Sequence, residues 1–246
     1  MPILEGEGVT KYFGGLAAVF NVDFHVEQGE ALGLIGPNGA GKTTLFNLIS
    51  AALTPRSGEI RFKGRNITGL APFKICRMGV ARTFQTVKVF ANMPALNNVA
   101  LGSYFGMSHR MSSSDAFREA TALLEFVGLS EAKATPAKDL TLANQKRLEV
   151  ARALATKPEL LLLDEIMAGL NATEVAEAIE LVARIRKQGI TVIMIEHVMK
   201  AIMSVCDRIM VLHHGAKLAE GTPKEIVTSK EVIKIYLGER THAGSS

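Results

Sequence analysis

The chain predicts an α/β protein with a mostly parallel core sheet, and three observations predict it. Residues 31–35 form a short apolar run of strand length, followed by a glycine-rich loop and by Leu45, Leu48, Ile49 and Ala52 at helical spacing. Two later runs, 160–163, fully apolar, and 190–195, apolar but for Thr191, read as buried strands, and a helical pattern over 172–187 separates them. From about 92 to 156 the character turns helical, which reads as an insertion into that core.

Taken in order, residues 1–30 read as short strands: 8–13, a turn at Gly14-Gly15, then 18–26 with Val22, Phe24 and Val26 alternating. Residues 59–64 alternate polar and apolar, as an edge strand with one wet face does. A short strand over 81–84 ends at Gln85. In the insertion, Phe117, Ala120, Leu124 and Val127 are expected on one helix face, with a cap among residues 112–115 and a stop at Gly128. Residues 108–114 read as a loop. Residues 140–156 open with a polar-capped turn and become a helix. The helix over 172–187 is expected to bury Val175, Ile179 and Val182 and to break at Gly189. A helix near 198–205, a hairpin through His213-His214-Gly215-Ala216, and two short helices near 223–228 and 230–237 finish the fold. Residues 241–246 read as a loose tail.

The loop after the first core strand is Gly36-Pro37-Asn38-Gly39-Ala40-Gly41-Lys42-Thr43-Thr44, which fits G-x-x-x-x-G-K-S/T. Glycines let successive backbone N–H groups converge on phosphate oxygens with no Cβ in the way. Lys42 supplies a positive charge for the β- and γ-phosphates, and the Thr43 hydroxyl can ligate Mg²⁺. The following helix adds its positive end to the anion site. A strand, this loop and a helix are the context the motif demands.

Polar groups collect at the carboxyl ends of the expected strands, where α/β sheets bind ligands. Asp164 can reach Mg²⁺ directly or through water, and Glu165 can polarise an attacking water. The two acids could instead cap the next helix. Gln85 can touch metal or water, or be a solvated loop residue. His197 can bond a γ-phosphate, or be structural. His213 and His214 have no partners at metal-ligand spacing.

Composition bounds the rest. At 246 residues the chain suits one elaborated α/β domain. Its 48% hydrophobic content fits a buried parallel sheet, and also a surface that docks on something else. A net charge of +4 is too weak to argue for nucleic acid, and none is expected as a partner. Cys76 and Cys206 give no disulfide framework and suit a reducing compartment. The N-terminus has no signal-peptide pattern, and no run reaches membrane-span length.

The order of motifs resembles the ATP-binding subunits of ABC transporters across essentially the whole chain, and among them the branched-chain amino-acid importer ATPases with their urea and amide relatives. The phrases that carry the resemblance are Lys11-Tyr12-Phe13-Gly14-Gly15, residues 35–47, Ala81-Arg82-Thr83-Phe84-Gln85, Ala168-Gly169-Leu170-Asn171 and Ile195-Glu196-His197. The resemblance implies a single P-loop ABC ATPase domain. Residues 1–91 and 157–240 would form a RecA-like core with an N-terminal antiparallel β subdomain, and 92–156 a helical subdomain. It implies that Phe13, or Tyr12 beside it, stacks on adenine. Gln85 would couple core to helical subdomain and contact metal, Asp164 would hold Mg²⁺, Glu165 would be the catalytic base, and His197 the switch histidine. Asn171 stands where the family commonly has Asp.

One region departs from the family's pattern. The usual Leu-Ser-Gly-Gly-Gln signature is here Leu140-Thr141-Leu142-Ala143-Asn144. Thr141 keeps a hydroxyl, but Leu142 and Ala143 replace glycines that would approach the γ-phosphate held by a partner subunit. Ile166 replaces the proline usual after the base. The expected partners are therefore a second ABC ATPase subunit, the same chain or a paralogue, and transmembrane permease subunits. Indirectly, an extracytoplasmic substrate-binding protein is also expected. The expected place is the cytoplasmic face of the inner or plasma membrane, as a peripheral subunit. The expected activity is ATP hydrolysis powering import of branched-chain or other amino acids. Urea or amide import and lipopolysaccharide export are alternatives, and an ABC ATPase working on DNA or ribosomes a more distant one. That last class carries coiled-coil arms or two cassettes, and this chain has neither. A guanine-binding Asn-Lys-x-Asp signature is absent.

Overall fold

A computed structural model of the chain describes residues 2–106 and 111–235. The expected tail at 241–246, part of the 108–114 loop and the end of the 230–237 helix lie outside the described residues. The chain divides at Gly69/Leu70 and at Val192/Ile193 into two compact units.

The first unit opens with two twelve-residue strands, β1 (Pro2–Phe13) and β2 (Leu16–Glu27), joined by the Gly14-Gly15 turn. They pair antiparallel, with Gly6 opposite Phe24 and Val9 opposite Val22. β4 (Ser57–Phe62) and the two-residue β5 (Arg65–Asn66) complete a sheet of order β2-β1-β4-β5. β4 alternates as expected, burying Ile60 and Phe62. It is not the edge, however, because the chain turns back at Gly64 to lay β5 along it.

The unit's second layer centres on β3 (Ala31–Ile35), all five residues of which are buried. β3 pairs in parallel with β9 (Arg208–His213), from Leu32 opposite Arg208 to Ile35 opposite Val211. β9 returns as an antiparallel hairpin into β10 (Ala216–Gly221). Helix α1 (Lys42–Ile49) follows β3 and buries Leu45, Phe46, Leu48 and Ile49. Ala52 falls outside it: the helix ends at Ser50, and Ala51 turns left-handed at φ 55°.

In the second unit, helix α2 (Pro72–Arg77) leads to β6 (Val80–Arg82), which pairs in parallel with β7 (Leu160–Asp164). Between them lie α3 (Ala95–Phe105), α4 (Ser113–Phe126) and α5 (Leu142–Leu154), packed on one another. Ser112 caps α4 by accepting the Asp115 N–H at 3.1 Å. The buried face of α4 is Ala116, Ala120 and Leu124, continued by Val127. Phe117 is exposed instead, because the face runs at i, i+4, i+8 from Ala116 and leaves 117 a hundred degrees away.

Helix α6 (Ala172–Lys187) has the expected bounds, opened by a capping box in which Asn171 accepts the N–H groups of Thr173 and Glu174. Its buried residues are Leu181, Val182 and Ile185, with Val175 and Ile179 only half-buried. The fully buried strand β8 (Thr191–Ile195) follows, then α7 (Met199–Val205) and, after β10, α8 (Pro223–Thr228). No helix among the described residues is long and apolar enough to cross a membrane.

Candidate active site

The first unit carries the phosphate loop. β3 delivers the chain into it, and two glycines decide its path. Gly36 has φ 149°, and a Cβ there would lie 2.1 Å from the Leu212 carbonyl oxygen. Gly41 has φ 103°, and its Cβ would lie 2.2 Å from the Ala18 carbonyl oxygen. No side chain fits at either point. The loop is tied down by Ala40 N–H to Pro37 C=O at 3.2 Å and by Gly215 N–H to Ala40 C=O at 3.0 Å. Pro37 and Ala40 are buried, while Asn38, Gly39 and Thr43 face solvent and Thr44 is half-buried.

Lys42 starts α1 with its side chain folded back over the loop. Its Nζ donates to the Gly36 carbonyl at 2.6 Å and the Pro37 carbonyl at 2.8 Å. A buried ammonium held against carbonyl dipoles, beside exposed loop backbone and an exposed hydroxyl, is an arrangement that suits an incoming polyphosphate and its cation. In the same unit Tyr12 and Phe13 stand exposed near the end of β1, the Phe13 ring 5.7 Å from Lys11 Nζ. His197 is exposed just after β8.

The second unit carries the acids. Asp164 ends β7 with only 1% of its surface exposed. Its carboxylate accepts from Arg82 at 3.2 Å, and its N–H donates to the Thr83 hydroxyl at 3.0 Å. Burial lowers the pKa of the Arg82 guanidinium, and the Asp164 charge opposes that shift. Glu165, the next residue, has φ 51°. A non-glycine residue there costs of order 1–3 kcal/mol and persists only where surroundings impose it. Its carboxylate accepts the Gln85 amide N–H at 3.0 Å. The structure thus brings together two residues eighty apart in sequence. Ile166, the residue after Glu165, is buried.

The substituted signature opens α5. Thr141 caps the helix, its hydroxyl accepting the Asn144 N–H at 3.3 Å. Leu140 and Ala143 are buried and Leu142 is 47% exposed. Leu142 lies against Gly169: a Cβ on that glycine would sit 3.2 Å from the leucine Cδ2.

The family described as ABC transporter matches residues 19–168, well over half the chain. The chain belongs to the ABC transporter ATP-binding family. A second family description, branched-chain amino acid ATP-binding cassette transporter, matches residues 216–242. The chain is 43% identical to the high-affinity branched-chain amino acid transport ATP-binding protein BraF of Pseudomonas aeruginosa, over 97% of this chain and 98% of that protein. It is 41% identical to the corresponding protein LivG of Escherichia coli K12, with the same coverage. Among solved structures, the ADP conformation of MJ1267, an ATP-binding cassette of an ABC transporter, superposes with a TM-score of 0.88. That structure is 30% identical, with 97% of this chain and 99% of that one covered.

Sequence reading missed the residues that hold this cassette's acid loop and glutamine loop. Lys146 on α5 donates to the carbonyls of Glu165 at 2.9 Å and Ala168 at 2.6 Å. Glu149 accepts the Lys88 N–H at 3.2 Å and a second N–H from Phe84. Arg152 donates to the Lys88 carbonyl and lies 4.8 Å from the Phe90 ring centroid. Asn98 on α3 accepts the Phe90 N–H at 2.8 Å and donates to the carbonyls of Phe90, Met93 and Pro94. Nothing in the composition of α5 marked them: polar and apolar residues are mixed along Leu142–Leu154, and only the structure shows Lys146 and Glu149 buried among its apolar side chains.

Proposed function

We propose that this chain is the ATP-binding and ATP-hydrolysing subunit of an ABC importer for branched-chain or other amino acids. Family membership and relatives at 41–43% identity over nearly the full length support the ATPase and transport reading. The observation that carries the hydrolytic part is the Gln85 amide bonded to the Glu165 carboxylate directly after β7. An apolar strand ending in two acids, the second held by an amide, suits a general base aimed at water.

In this reading the loop 36–44 binds the phosphates through backbone N–H groups, and Lys42 supplies charge to the β- and γ-phosphates. Phe13, with Tyr12 as the alternative, stacks on adenine. Mg²⁺ would be held by Thr43, Asp164 and Gln85, and would neutralise charge on the phosphates. Glu165 takes the proton of the attacking water, and His197 steadies the γ-phosphate. The signature Leu140-Thr141-Leu142-Ala143-Asn144 faces the nucleotide of a second cassette subunit. Because Leu142 and Ala143 stand where glycines usually do, that partner is a paralogue and the two ATP sites are unequal. The subunit works on the cytoplasmic face of the membrane, beside permease subunits and, indirectly, a substrate-binding protein outside.

The test is to tag the chain, solubilise its host's membranes gently and identify what co-purifies. Two permease-like membrane proteins and a second cassette are expected. Recovery with DNA or ribosomes and no membrane protein would overturn the importer reading. In the recovered complex, Glu165→Gln should lower turnover by about a hundredfold or more while ATP still binds. The same change at the partner's matching Glu should have a different effect. Equal losses would remove the asymmetry.

A further inference from the structure

We propose that Glu149, with Lys146 and Arg152 beside it on α5, is a positioning residue that fixes the Gln85 amide against the Glu165 carboxylate. The proposal rests on the reading of Gln85 and Glu165 as parts of the hydrolytic machinery.

The segment that carries Gln85 has no regular structure of its own. Between the end of β6 at Arg82 and the start of α3 at Ala95, no helix or strand fixes the backbone. Backbone bonds hold its two ends, at Thr83 and at Ala91 and Met93, and side chains hold the stretch between. Glu149, 5% exposed, accepts the N–H groups of Phe84 and Lys88, the two residues that bracket Gln85 on either side. Arg152, three residues on, donates to the Lys88 carbonyl. The loop is therefore gripped by a donor and an acceptor from one helix, just where the glutamine leaves it.

The same helix grips the other partner. Lys146, three residues before Glu149 and 7% exposed, donates to the carbonyl of Glu165 itself and to that of Ala168. That bond falls on the residue held at φ 51°, the conformation that needs outside support. Lys146 and Glu149 are one helical turn apart, so a rigid turn of α5 sets the spacing between the two loops. The 3.0 Å contact from Gln85 to Glu165 closes the ring. An apolar residue at 149 could accept neither amide N–H, and the half-buried Phe84 N–H would lose its carboxylate partner. Burial raises the pKa of the Glu149 carboxyl, a cost that the site tolerates for the sake of that acceptor.

The alternative is that Glu149 merely stabilises the fold. ATP turnover and ATP affinity of the recovered complex, carrying Gln85→Ala, Glu149→Ala or both in this chain, separate the two. If Glu149 acts through Gln85, Glu149→Ala lowers kcat by about tenfold to a hundredfold and leaves KM within about twofold. In the Gln85→Ala background it costs less than about twofold more, because the group it positions is gone. Glu149→Gln, which keeps a carbonyl acceptor at that position, recovers most of the turnover; Glu149→Met, which fills the space without an acceptor, replaces the alanine variant in the cycle if that variant does not fold. Losses that multiply in the double variant would overturn the positioning role while leaving Gln85 in the machinery. A Gln85→Ala variant with unchanged turnover would overturn the underlying reading, and this proposal with it.

Discussion

The phosphate loop and the loop that carries Gln85 both present polar groups from irregular backbone, yet they are built in opposite ways. Residues 36–41 are shaped by what their glycines lack: the carbonyls of Leu212 and Ala18 occupy the space of a Cβ. Lys42 then bonds back to the loop's own carbonyls. Residues 84–90, between backbone bonds at Thr83 and at Ala91, are shaped by side chains that arrive from elsewhere, Glu149 and Arg152 on α5 and Asn98 on α3. The first loop is spelled by a local string of glycines and tolerates no Cβ at Gly36 or Gly41, whose space distant backbone fills. The second is non-local and depends on hydrogen bonds that no neighbour in sequence can supply. An anion site made of backbone is spelled in one short string, whereas a positioned side chain is spelled across the distance between it and its supports.

The largest expected effect breaks the first loop. Gly41→Ala puts a methyl group 2.2 Å from the Ala18 oxygen at a φ of 103°. Strain and clash together cost roughly 3 kcal/mol or more. If the loop yields by opening, affinity for ATP falls about a hundredfold or more, since each 1.4 kcal/mol is tenfold. Titration with a fluorescent ATP analogue reads this directly. Binding within threefold of the parent would mean that the loop has slack the structure does not show.

A smaller effect is expected from breaking a support of the second region. Arg82→Met removes the cation from a pair whose Asp164 is 1% exposed, which leaves a buried carboxylate without that partner. Removing one member of such a pair costs about 3–5 kcal/mol. Urea unfolding at neutral pH measures it. A loss under about 1 kcal/mol would show the pair to be well solvated, and would place Asp164 among exposed acids instead.

How much was legible follows the same division. The glycine loop, β3 and α6 were readable because their signals are local: an apolar run, a spaced set of glycines, and a helical pattern that stops at Gly189. Asp164 and Glu165 were readable because an apolar strand ends on them. Phe117 was placed on the wrong face because a large apolar residue beside a small one draws the reading, while the helix buries Ala116. The edge assignment of β4 failed because a two-residue strand has no periodicity to read. Lys146, Glu149 and Arg152 were invisible for a different reason. Their partners are backbone groups, and a carbonyl or an N–H carries no residue name, so nothing in residues 83–94 or 165–168 announces what holds them.

The smallest expected effect sharpens that last point. Burial holds the Glu149 carboxyl pKa above the ordinary glutamate range, and the bonds from Lys88 and Phe84, then the charges of Arg152 and Lys146, only partly oppose it. A carboxyl with a raised folded-state pKa favours the fold below the unfolded value of about 4.3, and that contribution is lost as pH rises through the folded value. Glu149→Gln removes this titration and leaves every other group in place. The stability of the parent relative to Glu149→Gln should therefore be greatest near pH 4 and decline toward neutrality. Paired urea unfolding curves at several pH values give the difference. A difference that grows with pH would mean that the two amide donors and the neighbouring cations outweigh burial. The carboxylate would then be held as the charged form, and the grip on the Gln85 loop would tighten, not loosen, toward neutral pH.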